Sequence, residues 1–241
     1  MGSAFWGEFA GTAMLILLGN GVVACVALDK SYGHGGGWIV ITAGWCFAVM
    51  AGVLTALALG GPAYLNPAVA IGVAVASGNW DGVPADILAE LLGAMCGATL
   101  VWLHYLHHWG VTEDANAKRG CFCTAPAIRH LPANLLSEII GTFVLVLVAA
   151  ALASPRLAPH GLPAGFGPLV VGFLVWAIGL SLGGPTGYAI NPARDLGPRI
   201  MHAVLPVAGK GSSEWGYAPV PVLGPVVGAA LAGLFVHAMS I

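Results

Sequence analysis

The stretch "YLNPAVAIG" (residues 64–72) contains an Asn-Pro-Ala triplet that recurs in "AINPARDLG" (residues 189–197). Asn is a favourable residue just before a helix, and Pro suits the first helical position because it has no N–H to satisfy. Each triplet therefore predicts the start of a helix. The first of these helices runs for about ten residues before Ser77, Gly78 and Asn79 interrupt it, which is roughly 15 Å, or half a bilayer.

The composition of the chain is that of an integral membrane protein. Of its 241 residues, 58% are apolar and 7% are charged, and the mean hydropathy is +0.88. Continuously apolar stretches favour a helical bundle over a β-barrel, whose strands would alternate. Six stretches have the length of a membrane span, near residues 5–28, 38–59, 84–107, 134–153, 166–183 and 219–240.

Two further features of the chain exclude other classes. The first apolar stretch lacks a basic leader and a small-residue cleavage site, so it predicts a retained span and not a signal peptide. A formal net charge of -2 without a basic stripe predicts no nucleic-acid partner.

The two halves of the chain repeat one pattern. "GEFAGTAMLIL" (7–17) corresponds to "SEIIGTFVLVL" (137–147), and the triplets follow in the same order. Three spans per half would insert the second half upside down, as an inverted repeat. We therefore predict a first repeat over 1–106 with a half-helix from Asn66, an extramembrane linker over 107–133, and a second repeat over 134–241 with a half-helix from Asn191.

The segments before both triplets, "LGGPAYL" and "LGGPTGYAI", are too rich in Gly and Pro to be helical. At membrane depth such backbone is tolerated only where it lines a water-filled cavity. With inverted repeats, the two half-helix N-termini would meet near the membrane midplane, beside that cavity.

Together, the two triplets, the paired Glu-x-x-Gly-Thr openings and "NPARDLGP" resemble the aquaporin superfamily, and specifically its glycerol-facilitator branch. The resemblance implies an all-α membrane protein with six transmembrane helices and two re-entrant half-helices. It also implies a passive channel for small neutral polyols, chiefly glycerol, with some water, which excludes ions and protons. A homotetramer in the cell membrane, surrounded by lipid, with both termini cytoplasmic, follows from the resemblance alone.

By the same resemblance, the pore is formed by the triplets and the backbone before them. The triplets are Asn66, Pro67, Ala68 and Asn191, Pro192, Ala193, and the two Asn side chains offer amide donors at the pore centre. A ladder of carbonyl acceptors comes from Pro62, Ala63, Tyr64, Gly187, Tyr188 and Ala189. Glu8 and Glu138 correspond to the carboxylates that hold the re-entrant loops, and Asp195 is grouped with them as loop support.

The selectivity filter implied by the resemblance consists of Trp45, Gly179, Tyr188 and Arg194. Trp45 requires one extra residue in "LGGPAYL", and otherwise Cys46 takes its place. A Trp and a Tyr facing an Arg, with a Gly leaving room, suit a three-carbon polyol. Two residues depart from the usual family pattern, Tyr64 in place of His and Tyr188 in place of Phe.

Several alternatives remain open at this point. The cargo could be water alone, or urea, dihydroxyacetone or protonated lactic acid, and an ion-coupled secondary transporter would also use inverted repeats and broken helices. The positive-inside rule argues weakly for the opposite orientation, because Lys118, Arg119 and Arg129 lie in the linker. No catalytic constellation, metal site or cofactor is predicted. Cys121 and Cys123 are interpreted as plain loop residues, and His104, His107 and His108 as an interfacial helix end.

Overall fold

The computed structural model describes residues 2–163 and 165–241; Met1 and Ala164, which fall in the two predicted repeats, lie outside the described residues. The described residues form ten helices and no strand. The helices are α1 (Ser3–Ala27), α2 (Trp38–Ala58), α3 (Pro67–Ser77), α4 (Val83–His104), α5 (His108–Val111), α6 (Ala115–Gly120), α7 (Leu131–Ala153), α8 (Phe166–Leu182), α9 (Pro192–Val204) and α10 (Pro219–Met239).

Six of these helices occupy the six predicted spans. Helices α1, α2, α4, α7 and α10 are long and apolar enough to cross a membrane, and α8, with 17 residues, is at the lower end of the range of about 17–25 residues. Helix α7 begins at Leu131, three residues before the predicted start. The His130 ring accepts the Ala133 N–H at 3.3 Å, and Pro132 suits the first turn, so the helix is capped earlier than its apolar run indicates.

Each Asn-Pro-Ala triplet opens a short helix, α3 with 11 residues and α9 with 13 residues. The Asn66 side chain accepts the Ala68 N–H at 2.9 Å, and the Asn191 side chain accepts the N–H groups of Ala193 and Arg194 at 3.0 and 3.1 Å. At 1.5 Å per residue, these helices are roughly 16 and 20 Å long, so each reaches about halfway through a bilayer.

The half-helices tie the two halves of the chain together. Within the halves, α1 packs against α2 and α4, and α7 packs against α8 and α10. Between the halves, α3 packs against α10, α9 packs against α4, and α2 packs against α8. Each half-helix is therefore seated on a long helix of the other half.

Glycines permit the closest of these helix crossings. A Cβ atom added to Gly93 of α4 would lie 2.3 Å from the Phe9 carbonyl oxygen of α1. In the second half, a Cβ atom on Gly228 of α10 would lie 2.4 Å from the Ile139 carbonyl oxygen of α7. In lipid, such close backbone approach replaces the hydrophobic driving force as the source of helix association.

The linker, which the sequence predicts to lie outside the membrane, folds back onto the helix bundle. Cys121 and Phe122 are fully buried, and the Asn20 amide of α1 donates to the Phe122 carbonyl at 3.2 Å. Cys121 and Cys123 are thus buried thiols and not plain exposed loop residues. Burial raises the pKa of Cys123 to about 12 and also raises the pKa of Cys121, so both stay protonated and unreactive.

The Gly93→Val variant is expected to lower the thermal stability of the protein in detergent, because its side chain would clash with the α1 backbone at a cost of about 1–3 kcal/mol. Gly21→Ala is the matched control, since a Cβ atom at this helical position meets nothing within 4 Å. Unfolding followed by size-exclusion chromatography after heating measures both. Equal midpoints for the two variants would contradict this account of the crossing.

Candidate functional site

Two buried carboxylates hold the irregular backbone before the half-helices. Glu8 of α1 accepts the N–H groups of Tyr64 and Leu65 at 3.0 and 2.7 Å, through one oxygen each. Glu138 of α7 accepts the N–H groups of Ala189 and Ile190 at 3.0 and 2.7 Å in the same way. We name the backbone they hold the first re-entrant segment (residues 60–66) and the second re-entrant segment (residues 183–191). In the last residues before each Asn, these N–H groups are thus satisfied by side chains instead of by a neighbouring strand.

The re-entrant segments have matching strained conformations. The residues three and one before each Asn have positive φ, 64° at Ala63, 53° at Leu65, 38° at Tyr188 and 42° at Ile190. This left-handed region costs a non-glycine residue roughly 1–3 kcal/mol. The bonds to Glu8 and Glu138 fall on these same residues or their neighbours, so the carboxylates stabilise a backbone shape that the residues would not adopt alone.

The two Asn side chains cross-link the re-entrant segments. The Asn66 amide donates to the Ile190 carbonyl at 2.8 Å, and the Asn191 amide donates to the Leu65 carbonyl at 2.7 Å. Each amide nitrogen carries two hydrogens. One hydrogen thus holds the opposite segment, and the second is available to the cavity that both side chains line.

This central cavity, of about 170 Å³, has two chemically different walls. One wall is formed by apolar side chains of the long helices, among them Leu15, Val49, Val53, Leu145 and Val175. The backbone and Asn side chains of residues 63–66 and 188–191 form the other. A molecule inside it can therefore find hydrogen-bonding groups on one side and only apolar groups on the other.

The central cavity lies in series with two larger cavities. A vestibule of about 230 Å³ under the linker, the linker-side vestibule, shares Trp45, Tyr188 and Arg194 with it. A vestibule of about 600 Å³ near the C-terminus of α10, the C-terminal vestibule, shares Val69 and Ala149 with it. The three cavities therefore adjoin one another, and Trp45, Tyr188 and Arg194 separate the linker-side vestibule from the central cavity.

Arg194 and Trp45 form one side of this constriction. The Arg194 guanidinium carbon lies 4.2 Å from the centre of the Trp45 ring, and one of its nitrogens donates to the Phe122 carbonyl at 3.4 Å. The Trp45 ring is seated on Gly19, where an added Cβ atom would lie 2.3 Å from the ring. Cys46, the alternative to Trp45 in the sequence, is fully buried and does not line the central cavity.

Tyr188 forms the other side of the constriction, and its ring occupies the space that Gly179 leaves. A Cβ atom on Gly179 would lie 2.8 Å from Cζ of Tyr188 and 2.9 Å from its hydroxyl oxygen. Trp38 donates to the Gly179 carbonyl at 3.0 Å and packs edge-on against the Tyr188 ring. Gly179 therefore does not line the path itself but sets how far the Tyr188 ring retracts from it.

The residues predicted to supply carbonyl acceptors are distributed unevenly. Ala63, Tyr64, Tyr188 and Ala189 line the central cavity, and Gly187 lines the linker-side vestibule. Pro62 is exposed and is not part of the central cavity lining. The carbonyls of Leu65 and Ile190, which are not among the predicted acceptors, accept the Asn amides.

Asp195 supports the linker instead of a re-entrant segment. Its carboxylate accepts the N–H and hydroxyl of Thr124 at 2.8 and 2.7 Å, and it forms a fully buried salt bridge with Arg199, one turn later on α9. Arg199 also donates to the carbonyls of Thr124 and Ser213. This network fixes the linker over Arg194, and the pair "D-x-x-x-R" in the second half-helix was the sequence signal for it.

Glu90 is a further site residue that sequence reasoning missed. It lies on α4, is fully buried, and accepts the Asn66 N–H at 2.9 Å. Its signal was present in "ADILAELLG", because a carboxylate within a membrane span marks a functional position by default.

The comparisons with known proteins cover nearly the whole chain. Residues 2–236 match the family described as "Major intrinsic protein". The chain is 54% identical to the "Probable glycerol uptake facilitator protein" of Thermotoga maritima, over 95% of this chain and 96% of that protein. It is 52% identical to the "Glycerol uptake facilitator protein" of Bacillus subtilis, over 98% and 84%. The solved structure of an aquaglyceroporin from Plasmodium falciparum is 29% identical and superposes with a TM-score of 0.84, over 98% of this chain and 95% of that one. This match confirms the predicted fold.

The Arg199→Leu variant is expected to be strongly destabilised, because it leaves the Asp195 carboxylate buried without its cation, at a cost of about 3–5 kcal/mol. Arg129→Leu is the matched control, because Arg129 pairs with Glu214 at the exposed surface, where such pairs contribute less than about 1 kcal/mol. The melting temperatures of the two purified variants in detergent test this. Similar losses for both would mean that the buried network does not hold the linker.

Proposed function

Because the chain belongs to the major intrinsic protein family, we propose that it is a passive transmembrane channel for glycerol, with some water, and not an enzyme. The observation that carries this proposal is the central cavity with one apolar and one hydrogen-bonding wall. A linear polyol carries hydroxyls along one side and carbon-bound hydrogens along the other when it is extended. Such a molecule matches both walls at once, whereas water gains nothing from the apolar wall.

The donors of the site support conduction of neutral solutes only. The N-termini of α3 and α9 direct positive partial charge toward the centre, and Asn66 and Asn191 add amide donors there. A cation or a hydrated proton meets this positive potential, so both are disfavoured. An anion would exchange its full hydration shell for a few donors. We infer that ions and protons are excluded on both grounds.

At the constriction, Arg194 supplies donors in a fixed fork, and Trp45 and Tyr188 supply flat apolar surfaces. We propose Trp45, Gly179, Tyr188 and Arg194 as the selectivity filter, with Gly179 acting through the Tyr188 ring. The unoccupied carbonyls of Ala63, Tyr64, Tyr188 and Ala189 are proposed as acceptors for solute hydroxyls. Glu8 and Glu138 are proposed to support the re-entrant segments, and Asp195 to support the linker.

We further propose a homotetramer in the cell membrane with both termini cytoplasmic. The support for both is family membership, and the exposed apolar side chains of the long helices are compatible with contact to lipid and to neighbouring subunits. The molar mass of the detergent-solubilised protein, from light scattering after subtraction of bound detergent, tests the tetramer. Labelling of single cysteines placed in the linker, from either side of the membrane, tests the orientation.

Stopped-flow light scattering on proteoliposomes tests the channel. Inward gradients of glycerol, urea and lactic acid at acidic pH are compared with each other and with water flux. Fast glycerol entry with a low activation energy, unaffected by ion gradients, is the expected result. Water flux without glycerol entry would indicate a water channel, and saturable flux coupled to an ion gradient would indicate a transporter.

The Gly179→Ala variant is expected to reduce glycerol permeability roughly tenfold, because the displaced Tyr188 ring adds a barrier of about 1–2 kcal/mol, while water permeability falls less. Replacing Tyr188 by Ala in the same variant removes the displaced ring and restores glycerol entry. Gly110→Ala, where an added Cβ atom meets nothing within 4 Å, is the control. An unchanged glycerol-to-water ratio in Gly179→Ala would refute the role given to Gly179.

A further inference from the structure

The first re-entrant segment is held by two carboxyl groups, not one. Glu8 accepts the N–H groups of Tyr64 and Leu65, and Glu90 accepts the N–H group of the next residue, Asn66. The two carboxyl groups are within hydrogen-bonding reach of each other, and both are fully buried. One buried oxygen of Glu90, Oε2, has no hydrogen-bond partner among the described residues.

In the second half of the chain, different groups hold the corresponding re-entrant segment. Glu138 accepts two backbone N–H groups as Glu8 does, and its third partner is the hydroxyl of Thr186. Glu90 lies three residues before the crossing glycine Gly93, and the residue three before the equivalent Gly228 is Pro225. Thus the second half has the hydroxyl donor of Thr186 beside Glu138, and it has a proline where the first half has Glu90.

The first half cannot use a hydroxyl donor in the same way. Counted back from the Asn of each triplet, the position of Thr186 corresponds to Gly61. A Cβ atom on Gly61 would lie 2.9 Å from the Cα atom of Gly7, so α1 is too close for any side chain there. Glu8 therefore lacks the hydroxyl donor that Glu138 has. Besides the N–H groups of Ala63, Tyr64 and Leu65, the further group within its reach is Glu90, which can bond to it only if one of the two carboxyl groups carries a proton.

The charges around Glu8 and Glu90 favour a proton on one of the two carboxyl groups. The titratable groups that act on Glu90 include Glu8 from α1, Asp86 one turn earlier on α4, and Tyr64 of the first re-entrant segment. The facing helix α9 also carries Arg194, Asp195 and Arg199, but the salt bridge it forms among the described residues joins Arg199 to Asp195 and does not reach Glu8 or Glu90. Two ionised carboxylates in contact, without a cation and away from water, would repel each other strongly.

We propose that Glu90 is protonated at neutral pH and donates its hydroxyl to Glu8, so that a shared-proton carboxyl pair positions the first re-entrant segment. Glu90 is then a positioning residue for Asn66, because its carbonyl oxygen accepts the Asn66 N–H while its proton replaces the missing Thr hydroxyl. Loss of this proton at alkaline pH would push the two carboxylates apart and displace Asn66 from the central cavity. The effect on solute flux rests on the proposed channel function, but the protonation itself does not.

Infrared spectroscopy of the full protein in lipid tests the protonation directly. At neutral pH, the wild type is expected to show the carbonyl stretch of a buried, hydrogen-bonded carboxylic acid, and Glu90→Gln is expected to lose it. Glu113→Gln, which changes an exposed carboxylate of the linker, is the control and should leave the band unchanged. A band that persists in Glu90→Gln would overturn the proposal, whether or not the protein conducts glycerol.

Flux measurements test the positioning role. The wild type is expected to lose permeability between neutral and alkaline pH. Glu90→Gln keeps an acceptor for Asn66 and a donor for Glu8 but has no proton to lose, so its permeability should not change over the same pH range. Glu90→Leu removes both bonds and should lower glycerol and water permeability together, by roughly tenfold or more, because about tenfold already corresponds to the loss of one hydrogen bond. Wild-type permeability in a correctly folded Glu90→Leu variant would overturn the positioning role. A wild type that shows the acid band but admits no glycerol would instead refute the proposed function alone.

Discussion

Every structural feature of this protein depends on one constraint, which is that backbone N–H and C=O groups inside a bilayer must find partners within the protein. Along the six predicted spans, helices meet this constraint, and the two re-entrant segments are irregular backbone between a span and a half-helix. In these two re-entrant segments, Glu8 and Glu138 accept backbone N–H groups. The Asn66 and Asn191 amides donate to the carbonyls of Ile190 and Leu65. Ala63, Tyr64, Tyr188 and Ala189 of these segments line the central cavity, so backbone that is not helical also provides candidate binding groups there.

The two halves share a backbone plan but differ in how they hold it. Around the first half-helix, support comes from the carboxyl groups of Glu8 and Glu90 within apolar surroundings. Around the second, an ionic network of Asp195, Arg199 and Thr124 ties the half-helix to the linker. This difference explains why α9 is polar in sequence while α3 is apolar, although both have the same position in their repeats. It also gives the linker a structural role that its length and polarity do not suggest.

Much of the fold follows from the sequence because its signals are local or repeated. The apolar runs give the long helices, and the Asn-Pro-Ala triplets give the half-helices, since capping depends on adjacent residues. Glu8 and Glu138 stand out because they recur in the repeat. What the sequence does not give is the pairing between distant positions. The contacts of Trp45 with Gly19 and of Tyr188 with Gly179, and the burial of the linker residue Phe122 against the bundle, depend on tertiary packing that no local pattern encodes.

The reciprocal amide bonds between the re-entrant segments have a consequence for biosynthesis. The Leu65 carbonyl accepts the Asn191 amide, and the Asn66 amide donates to the Ile190 carbonyl, 124 residues further along the chain. A first half without the second would leave these groups without these partners and α3 without α10 to pack against. The packing of α1 against α2 and α4 needs no residue of the second half. We therefore expect the first re-entrant segment to reach its final structure only after the second half has been made.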